Sequence, residues 1–397
     1  MDMLNDAWIG IRLILRHLPR HAKPEDLLKA RNRIQGFYVN DGDFPFENYF
    51  SDVPSHLLRR ICNAYKLSKQ RQPASGPYSV SGIWYELLGR AYGPLISSAQ
   101  KDDLGGFAGS LRNCFRDGTE GLSMSGDLPD FSNRESLEAY IDTYADNLLH
   151  LATFLNLSHP RKQMDNEGYI FDRKLTFQEL WKQICDKAGV SPSYPRVGNP
   201  FGLRYENCAI PKVAARHLHT ALRVRELSGS KRSIVDLGGG FGGVQYYLAR
   251  LMDRISIISL DIPEINMISA YFLSLALPDV QLTLYGENHS TEGGRSIRIL
   301  PNWYLQEIKP ESVSVVVNTD SFPEIPKEAS HEYLTRIGKI CNYFYSENQD
   351  CGLEGQHRLS QLNLEQFGLR CLDYHIAWMR HGYFERVYES LHNHGNL

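Results

Sequence analysis

The residues with the clearest chemical potential lie in one short stretch, SIVDLGGGFGG, from Ser233 to Gly243. An acid, Asp236, stands two residues before a nearly all-glycine turn. Glycines permit the positive φ values of a tight turn and let a ligand approach the backbone closely. The following segment, 244–252, has helical spacing, so its unpaired N–H groups face the turn. Together with 233–235 as a short buried strand, this pattern predicts a ligand-binding turn.

Two kinds of cofactor fit this glycine pattern. Gly238, Gly240 and Gly243 match the G-x-G-x-x-G fingerprint, in which a dinucleotide pyrophosphate lies on the helix N-terminus. Counted from Asp236, the glycines also match acid-x-G-x-G-x-G, which resembles motif I of the class I methyltransferases that use S-adenosylmethionine. A carboxylate there would accept hydrogen bonds from a cationic amino-acid group and would repel a pyrophosphate, so we favour S-adenosylmethionine. The predicted cofactor-binding residues of the turn are Asp236, Gly238, Gly239, Gly240, Phe241 and Gly242.

Further cofactor-binding candidates follow the next two predicted strands. The second strand, 255–260, ends at Asp261 and Ile262, about 20 residues beyond the turn, where an acid can accept hydrogen bonds from both ribose hydroxyls of an adenosine cofactor. The other interpretation of Asp261 is a helix N-cap. A third strand, 280–285, precedes Glu287, which we expect to accept a hydrogen bond from an adenine amino group.

Polar residues also follow the fourth predicted strand, VSVVV at 313–317. Ligands of an open α/β sheet lie beyond the carboxyl ends of its strands. We therefore expect Asn318, Asp320 and Glu324 near the reactive end of the cofactor, with Asn318 among the cofactor-binding residues.

Methyl transfer to a hydroxyl benefits from a general base within hydrogen-bond reach. The candidates are Glu324, which we favour, Asp320, and His289 beyond the third strand. If a helix begins at Asp320, its carboxylate and that of Glu324 share a face, where one could stay protonated or bind Mg²⁺. The alternative role of Glu324 is helix capping, through an S-x-x-E box with Ser321. Nothing in the sequence requires a metal.

The elements that must position these residues alternate between strand and helix beyond the glycine turn. This alternation predicts a doubly wound, Rossmann-like α/β sheet. A polar loop at 290–298 follows the third strand, and a fifth strand at 340–345 precedes Asn348. Two final strands near 371–378 and 384–389 bring the predicted count to seven. A final antiparallel pair distinguishes the methyltransferase sheet from the dinucleotide-binding one.

The N-terminal part has a different pattern. Residues 1–195 are predicted to form a mostly helical domain or lid that supplies substrate or oligomer contacts, and 196–397 the cofactor-binding catalytic domain. Segment 191–203, rich in Pro, Gly and Ser, is the best linker candidate. Asn199 within it and Asn348 are candidate substrate ligands, because amides pair well with hydroxyls, although either could be a turn residue. Helical periodicity is clearest at 7–18, 56–67, 83–92 and 137–154.

Composition narrows the class of partner. The 397 residues, 42% hydrophobic and 22% charged, suffice for two domains of a soluble globular protein. A net charge of −3 gives no broad electrostatic case for nucleic acid. No apolar run reaches the roughly 18–20 residues of a membrane span, and we expect the amphipathic segment 8–18 to pack on its own domain rather than on a membrane or a partner helix.

The seven cysteines are odd in number and contain no C-x-x-C pair. This spacing favours reduced thiols in a cytoplasm and argues against a disulfide framework or a zinc site. His217 and His219, two positions apart on one predicted helix, do not share a face, which argues against a joint metal site. We expect a small-molecule or glycan acceptor, with a homodimer as one assembly to be tested.

Several segments together resemble the bacterial sugar O-methyltransferases associated with polysaccharide and glycoside biosynthesis. The segments are VDLGGGFGG, LDIPE with YFLSLALPD, LPNWYLQEI leading to VVVNTDSFPEI, and YFYSENQD, and the resemblance covers roughly 199–348. LRNCFRDG, upstream, also resembles a segment of that family. The resemblance implies transfer of a methyl group from S-adenosylmethionine to a sugar hydroxyl. The sequence departs from the family pattern at Cys114, where we expect an aromatic residue, and in the loop after His289.

Two other functions remain open. An NAD(P)-dependent sugar oxidoreductase would fit the G-x-G-x-x-G match, but no Tyr-x-x-x-Lys pair follows the glycines. A non-catalytic scaffold with a methyltransferase fold would be favoured by loss of Asp236 or Asp261, and both acids are present. An anionic acceptor is a further hypothesis, because four basic residues would suit it. These are Arg112, Arg116, Arg196 and Lys212.

Overall fold

The structure is a computed structural model of the chain. It describes residues 34–35, 53–80, 82–115, 121–122, 143–144, 147–157, 160–162, 169–171, 175–200, 202–205, 208–289, 294–350, 358–377, 379–380 and 382–394. The amphipathic segment 8–18 and Arg116 lie outside these residues. No helix among the described residues is long and apolar enough to cross a membrane.

The chain divides into two compact units. The smaller comprises residues 1–43 and 129–192, and the larger 44–128 and 193–397. This division differs from a single boundary at residue 195, because the helices between 55 and 112 group with the sheet that follows residue 232. The functions predicted for the two parts of the chain stay predictions.

The smaller unit contains short elements. Ile34–Gln35 pairs in parallel with Leu175–Thr176, and Pro160–Lys162 pairs antiparallel with Tyr169–Phe171. The helix Phe177–Ala188 follows. Of the predicted helical segment 137–154, residues 143–144 and 147–154 are helical in the structure.

The larger unit contains an eight-stranded sheet. Its strands are β1 (Ser233–Leu237), β2 (Ile255–Asp261), β3 (Gln281–Leu284), β4 (Arg295–Pro301), β5 (Val313–Thr319), β6 (Cys341–Gln349), β7 (Leu369–Ile376) and β8 (Tyr383–Ser390). Their order is β7-β8-β6-β5-β1-β2-β4-β3. Strands β1 to β6 are parallel, whereas β8 runs antiparallel to β6 and β7. The predicted parallel-dominated α/β sheet with a final antiparallel pair is confirmed, but the predicted count of seven strands is wrong.

The additional strand is β4, where the sequence predicts part of a polar loop. Ile297 pairs with Ile257 of β2 and Leu282 of β3, and both Ile297 and Ile299 are buried. Arg298 is half-buried, with its guanidinium 5.2 Å from the centre of the Tyr304 ring. The prediction of a loop across 295–298 is therefore wrong, because arginines hide an alternating apolar pattern.

The helices of the larger unit are α1 (Ser55–Arg71), α2 (Ile83–Ala91), α3 (Gly93–Lys101), α4 (Leu104–Arg112), α5 (Ala214–Ser228), α6 (Gly243–Leu251), α7 (Pro263–Ala276) and α8 (Lys327–Ile340). Five 3₁₀ helices (Asn302–Glu307, Phe322–Glu324, Leu359–Gln361, Leu364–Phe367 and Leu391–His394) and the antiparallel pair Leu203–Tyr205 with Cys208–Ile210 complete the described elements of this unit. The connection from β1 through α6 to β2 moves toward one edge of the sheet. The connection from β5 through α8 to β6 moves toward the opposite edge. Right-handed crossovers in opposite directions place α6 and α8 on opposite faces.

The direction in which successive strands are added to the sheet reverses at β1, which lies between β2 and β5. All three strands bring apolar side chains into the core; Val235 of β1 and Val316 of β5 are fully buried. Because the strands are parallel, their carboxyl ends meet at one edge of the sheet. That edge, at the switch point, is where open α/β sheets bind ligands.

Candidate functional site

The glycine turn after β1 uses most of its glycines for close packing. Gly238 and Gly242 have φ of 73° and 101°, and a Cβ on Gly242 would lie 2.7 Å from Leu273. A Cβ on Gly239 or Gly243 would also clash, with Ser259 and His217 respectively. The packing of β1 against α6, α7 and their neighbours therefore accounts for these glycines without a ligand. A Cβ on Gly238 would likewise clash, with Ser321.

Gly240 is different. Its φ is 56°, yet a Cβ there would meet only Leu122, at 3.9 Å. The Gly240 N–H donates to Asp261 Oδ2 at 2.8 Å. The Gly240 backbone thus borders open space beside a carboxylate. Of the predicted glycine contacts, this position best fits close approach by a ligand.

Asp261 links β2 to the turn. Its Oδ1 accepts a hydrogen bond from the Ile262 N–H at 2.7 Å. The N-cap of α7 is Ile262, so the interpretation of Asp261 as an N-cap is wrong. Burial raises the Asp261 pKa to about 7, although the N–H groups of Gly240 and Ile262 lower it; the charge of Glu264 raises it further.

Asp236, at the carboxyl end of β1, is buried with 2% of its surface exposed. Its carboxylate has no hydrogen-bond or ion-pair partner within the described part of the chain. Burial, followed by the charge of Asp261, raises the pKa of Asp236 to about 7. A buried carboxylate without a partner is costly. Phe241 of the same turn is buried among the rings of Phe115, Tyr194 and Phe272.

Glu324 ends a 3₁₀ helix beyond β5, and its Oε2 accepts a hydrogen bond from Trp84 Nε1 of α2 at 2.9 Å. Burial raises the pKa of Glu324 to about 7; the Trp84 hydrogen bond lowers it and the charge of Asp261 raises it. Ser321 forms no side-chain cap and instead accepts a hydrogen bond from Asn318. The capping-box alternative for Glu324 is therefore wrong.

Asp320 lies in a different environment from Glu324. It has the left-handed φ of 62° and pairs with Arg216 at 3.1 Å and with Arg380. No α-helix begins at Asp320, so the two carboxylates do not share a helical face. If Asp320 were the general base, it would have to accept a proton while paired with two arginines.

Asn318 and Asn348 are fully buried and join the ends of three strands. Asn318 Nδ2 donates to the Leu237 carbonyl of β1 at 2.8 Å, and Asn348 Nδ2 donates to Asn318 Oδ1 at 2.8 Å. Asn348 Oδ1 accepts from the Phe322 N–H at 3.2 Å. Both amides thus position the loop that carries Glu324. Their predicted contacts with cofactor and substrate stay predictions.

Glu287 and His289 lie beyond the edge strand β3, separated from β2 by β4. Glu287 pairs with Arg60 of α1 and accepts the Leu284 N–H at 2.8 Å. His289 Nδ1 is 3.3 Å from Thr283 Oγ1, and burial, then Arg298, lowers its pKa. The structure does not bring these two residues to the glycine turn.

The position next to Asp261 is occupied instead by the end of β4, where Pro301 pairs with Asp261. Asn302 follows and is buried; its Nδ2 donates to Tyr333 Oη at 3.0 Å and to the Tyr78 carbonyl at 3.3 Å. Asn302 Oδ1 is buried with no hydrogen-bond partner in the described residues. Asn302 was not among the predicted site residues, although the alternation of RSIRILP could have revealed the strand before it.

Asn199 is buried in a left-handed turn, with φ of 54°, and donates to Asn113 Oδ1 at 2.8 Å. The adjacent Phe115 N–H donates to the Gly198 carbonyl at 3.0 Å, and its ring is 5.1 Å from that of Phe241. The turn containing Asn199 is thereby joined to the glycine turn. Cys114 also packs here, where a Cβ on Gly198 would lie 2.8 Å from its sulfur.

Helix α2 and residues 121–122 cover this edge of the sheet within the larger unit. Trp84 contacts Glu324, and Leu122 lies nearest to Gly240. The neighbouring Tyr85 is 73% exposed. It lines a depression of about 640 Å³, whose wall also includes Lys69 and Glu264. This volume is in the range of small-molecule sites.

The two histidines of α5 point to different environments, as their spacing predicts. His217 Nδ1 lies 2.6 Å from Tyr194 Oη, and burial holds the pKa of His217 well below its usual value. His219 Nε2 lies 4.0 Å from Glu385 Oε2. The five cysteines whose side chains the structure describes form no disulfide (Cys62, Cys114, Cys185, Cys341 and Cys371).

No protein-family model matches the chain, and a search of curated proteins finds no match. Among solved structures, the chain is similar to magnesium protoporphyrin IX methyltransferase from Synechocystis PCC 6803 with bound SAM, at 13% identity over 45% of this chain and 80% of that one, with a TM-score of 0.33. It is also similar to mitomycin 7-O-methyltransferase MmcR, at 16% identity over 45% of this chain and 55% of that one, with a TM-score of 0.34.

Proposed function

We propose that this chain is an S-adenosylmethionine-dependent methyltransferase. The observation that carries the proposal is Asp236, a buried carboxylate without a partner among the described residues, beside Asp261 at the switch point of the sheet. A cationic ligand would offset the cost of burying these carboxylates. S-adenosylmethionine carries an ammonium and a sulfonium, whereas a dinucleotide pyrophosphate would add like charge.

The residues present fit this cofactor. Asp236 would accept hydrogen bonds from its amino group, and Asp261 would accept them from its ribose hydroxyls. The open backbone at Gly240 would lie along it, with Ile262 beside Asp261. Asn302 Oδ1, buried and without a partner in the described chain, would accept a hydrogen bond from the adenine amino group. This role replaces the one predicted for Glu287.

S-adenosylmethionine supplies an electrophilic methyl group when bound. Glu324 would accept the proton of an acceptor hydroxyl, because its carboxylate reaches the same edge of the sheet and has a pKa of about 7. A base with a pKa near the working pH is effective. Trp84 would orient the Glu324 carboxylate through its N–H. Arg216 and Arg380 hold Asp320 in an ion pair, so Glu324 is the better candidate.

A sugar hydroxyl is the proposed acceptor group. The sequence resemblance described above supports this choice. Tyr85, next to Trp84 in the chain, would stack on a sugar ring, since an exposed aromatic face is suited to such stacking. The depression that Tyr85 lines includes neither Asp261 nor Glu324. Lys69 and Glu264, which pair at 2.8 Å, add polar groups to the same depression. We expect a nucleotide sugar, a lipid-linked glycan or a glycoside.

Calorimetric titration tests the cofactor. The ligands are S-adenosylmethionine, S-adenosylhomocysteine, NADH and NADPH, and the proteins are the wild type, Asp261→Ala, and Asp253→Ala as a control at an exposed acid. We expect micromolar binding of both adenosyl compounds by the wild type and the control, and weaker binding by Asp261→Ala. Binding of a nicotinamide cofactor instead would identify an oxidoreductase and overturn the proposal.

Acceptor assays test the substrate. A panel of nucleotide sugars, their dephosphorylated sugars and neutral glycosides is incubated with S-adenosylmethionine, and methylated products are identified by mass spectrometry. Tyr85→Ala should raise KM for a sugar acceptor, whereas Tyr85→Phe should preserve it, because the ring does the stacking. Unchanged turnover after phosphate removal would refute the anionic acceptor. Methylation of only non-sugar hydroxyls would refute the sugar.

A further inference from the structure

A second group of buried ionisable residues lies between α5 and the last strands of the sheet. Glu347 of β6 and Glu385 of β8 are directly opposite each other in the antiparallel register. Their exposed fractions are 4% and 1%. Like charges directly opposite on adjacent strands destabilise a sheet, and burial strengthens the repulsion. A positive group between the two carboxyls, or a proton on one of them, would relieve this repulsion.

Arginines neutralise only part of this charge. Arg223 of α5 donates its Nε to Glu385 Oε1 at 2.7 Å and also pairs with Asp373 at 3.2 Å. Arg216 lies close enough to lower the pKa of Glu347, although burial raises it overall. Glu385 Oε2 is buried and has no hydrogen-bond partner among the described atoms.

His219, on the same helix, lies on the open side of Glu385. Its Nε2 is 4.0 Å from Glu385 Oε2. Burial lowers the pKa of His219 to about 4, so the ring is neutral at physiological pH and can act as a metal ligand. One ligand atom from each of His219, Glu347 and Glu385 lies within 4.8 Å of the others.

We propose that His219, Glu347 and Glu385 form a binding site for one divalent transition-metal ion. One imidazole nitrogen and two carboxylate oxygens suit Zn²⁺, which binds such ligands at about 2.0–2.2 Å, and also Mn²⁺ or Co²⁺. The ion would join α5 to β6 and β8 and separate the two opposed carboxylates. Thr220 and Tyr345 would orient Glu347, since their hydroxyls lie 3.4 and 3.3 Å from its Oε2. The site does not depend on the proposed methyl transfer.

A neighbouring set of groups offers a matched control. Asp373, His375 and Glu385 also bring their ligand atoms within 4.8 Å of one another. In that set Glu385 presents Oε1, which already accepts from Arg223, and Asp373 is exposed and paired with the same arginine. His375 Nε2 thus lies 3.5 Å from Oε1, the Glu385 oxygen that accepts from Arg223. His219 Nε2 lies nearest Oε2, which has no hydrogen-bond partner among the described atoms.

The test uses the full-length, untagged protein after dialysis against EDTA. Zn²⁺, Mn²⁺ and Co²⁺ are titrated in turn by calorimetry, and metal retained after gel filtration is counted by mass spectrometry. We expect one equivalent of at least one ion and a rise of several degrees in Tm, because the ion binds only the folded chain. His219→Ala should weaken binding at least 100-fold, whereas His375→Ala should change it less than 3-fold.

Glu347→Gln provides a second variant in case His219→Ala unfolds, and circular dichroism checks each variant for folding. Glu347→Gln should also weaken binding, because it removes an anionic ligand while preserving shape. Absence of binding by the folded wild type for all three ions would overturn the proposal. Equal loss in His219→Ala and His375→Ala, or loss in His375→Ala alone, would overturn the assignment of the ligands.

Discussion

Two groups of acids in the larger unit differ in what neutralises them. The cofactor-side acids are Asp236, Asp261 and Glu324, and burial raises the pKa of each to about 7. The arginine-paired acids are Asp320 and Glu385. Burial also tends to raise the pKa of Glu385, but His375, His219 and Arg223 together lower it to about 2.

The difference indicates which charges the fold supports by itself. Arg223 and Arg216 hold the arginine-paired acids in place, so their charges contribute to the folded structure. Of the cofactor-side acids, Asp261 and Glu324 receive only neutral donors from the described chain, namely N–H groups of the backbone and of Trp84, and Asp236 receives none. Acids left in this state indicate where a ligand brings the missing positive charge. The comparison therefore predicts opposite consequences for removing a charge from each group.

The largest effect is expected for Glu385→Gln, measured by urea unfolding of EDTA-treated protein. The variant should lose about 3 kcal/mol of unfolding free energy, because breaking a buried ion pair leaves a buried charge poorly compensated. Glu226→Gln is the control, since Glu226 pairs with the same Arg223 at 3.1 Å but is 53% exposed. We expect a change below about 0.5 kcal/mol there. Equal losses in both variants would remove the distinction between the two groups of acids.

Asp236→Asn should weaken ligand binding without lowering the unfolding free energy, in contrast to Glu385→Gln. Without its charge, the variant should bind S-adenosylhomocysteine about 100-fold more weakly, a loss of roughly 2.7 kcal/mol, as expected for a hydrogen bond to a charged group. Its unfolding free energy at pH 7 without ligand should be equal to or above that of the wild type. Calorimetry and urea unfolding measure the two quantities on the same preparation. A variant that loses stability and retains binding would make Asp236 a structural acid.

The pH dependence of Asp236→Asn sharpens this test. The folded pKa of Asp236, about 7, lies above its unfolded value of about 3.9. The folded state therefore binds this proton more tightly, and the stability from the protonated form is lost as the pH rises from about 4 to 7. Asparagine does not titrate, so the stability of the variant relative to the wild type should increase across that window. A constant difference from pH 4 to 7 would contradict the raised pKa.

The sheet was largely predictable from the sequence because its signals are local. SIVDL and VSVVV are apolar runs that end in polar turns, and each forms a buried parallel strand, β1 and β5. The strand β4 escaped prediction because Arg295 and Arg298 make its sequence polar while Ile297 and Ile299 form its buried positions. Because β4 was not predicted, the adenine contact was assigned to Glu287, which follows β3, the strand beyond β4 in the sheet.

The partners of the candidate site could be predicted less well, since they come from distant parts of the chain. Trp84 reaches Glu324 across 240 positions, and Arg380 reaches Asp320 across 60. Spacing within a motif contains no information on such contacts. The sequence therefore predicted Asp320 and Glu324 near the same end of the cofactor, with Glu324 favoured as the base. Their partners in the fold separate them, since Asp320 pairs with two arginines and Glu324 accepts a hydrogen bond from an indole.

The smallest effect is expected for Trp84→Phe, which tests the neutral donor on the cofactor side. The indole N–H stabilises the charged form of Glu324. Its removal should raise the Glu324 pKa above 7 by about one unit, or roughly 1.4 kcal/mol. Infrared titration of the carboxyl band, with Glu324→Gln to assign it, measures the shift, and Tyr85→Phe on the same helix should leave it unchanged. No shift in Trp84→Phe would mean that α2 does not control this carboxylate, and Glu324 would then depend on the ligand alone for its charge.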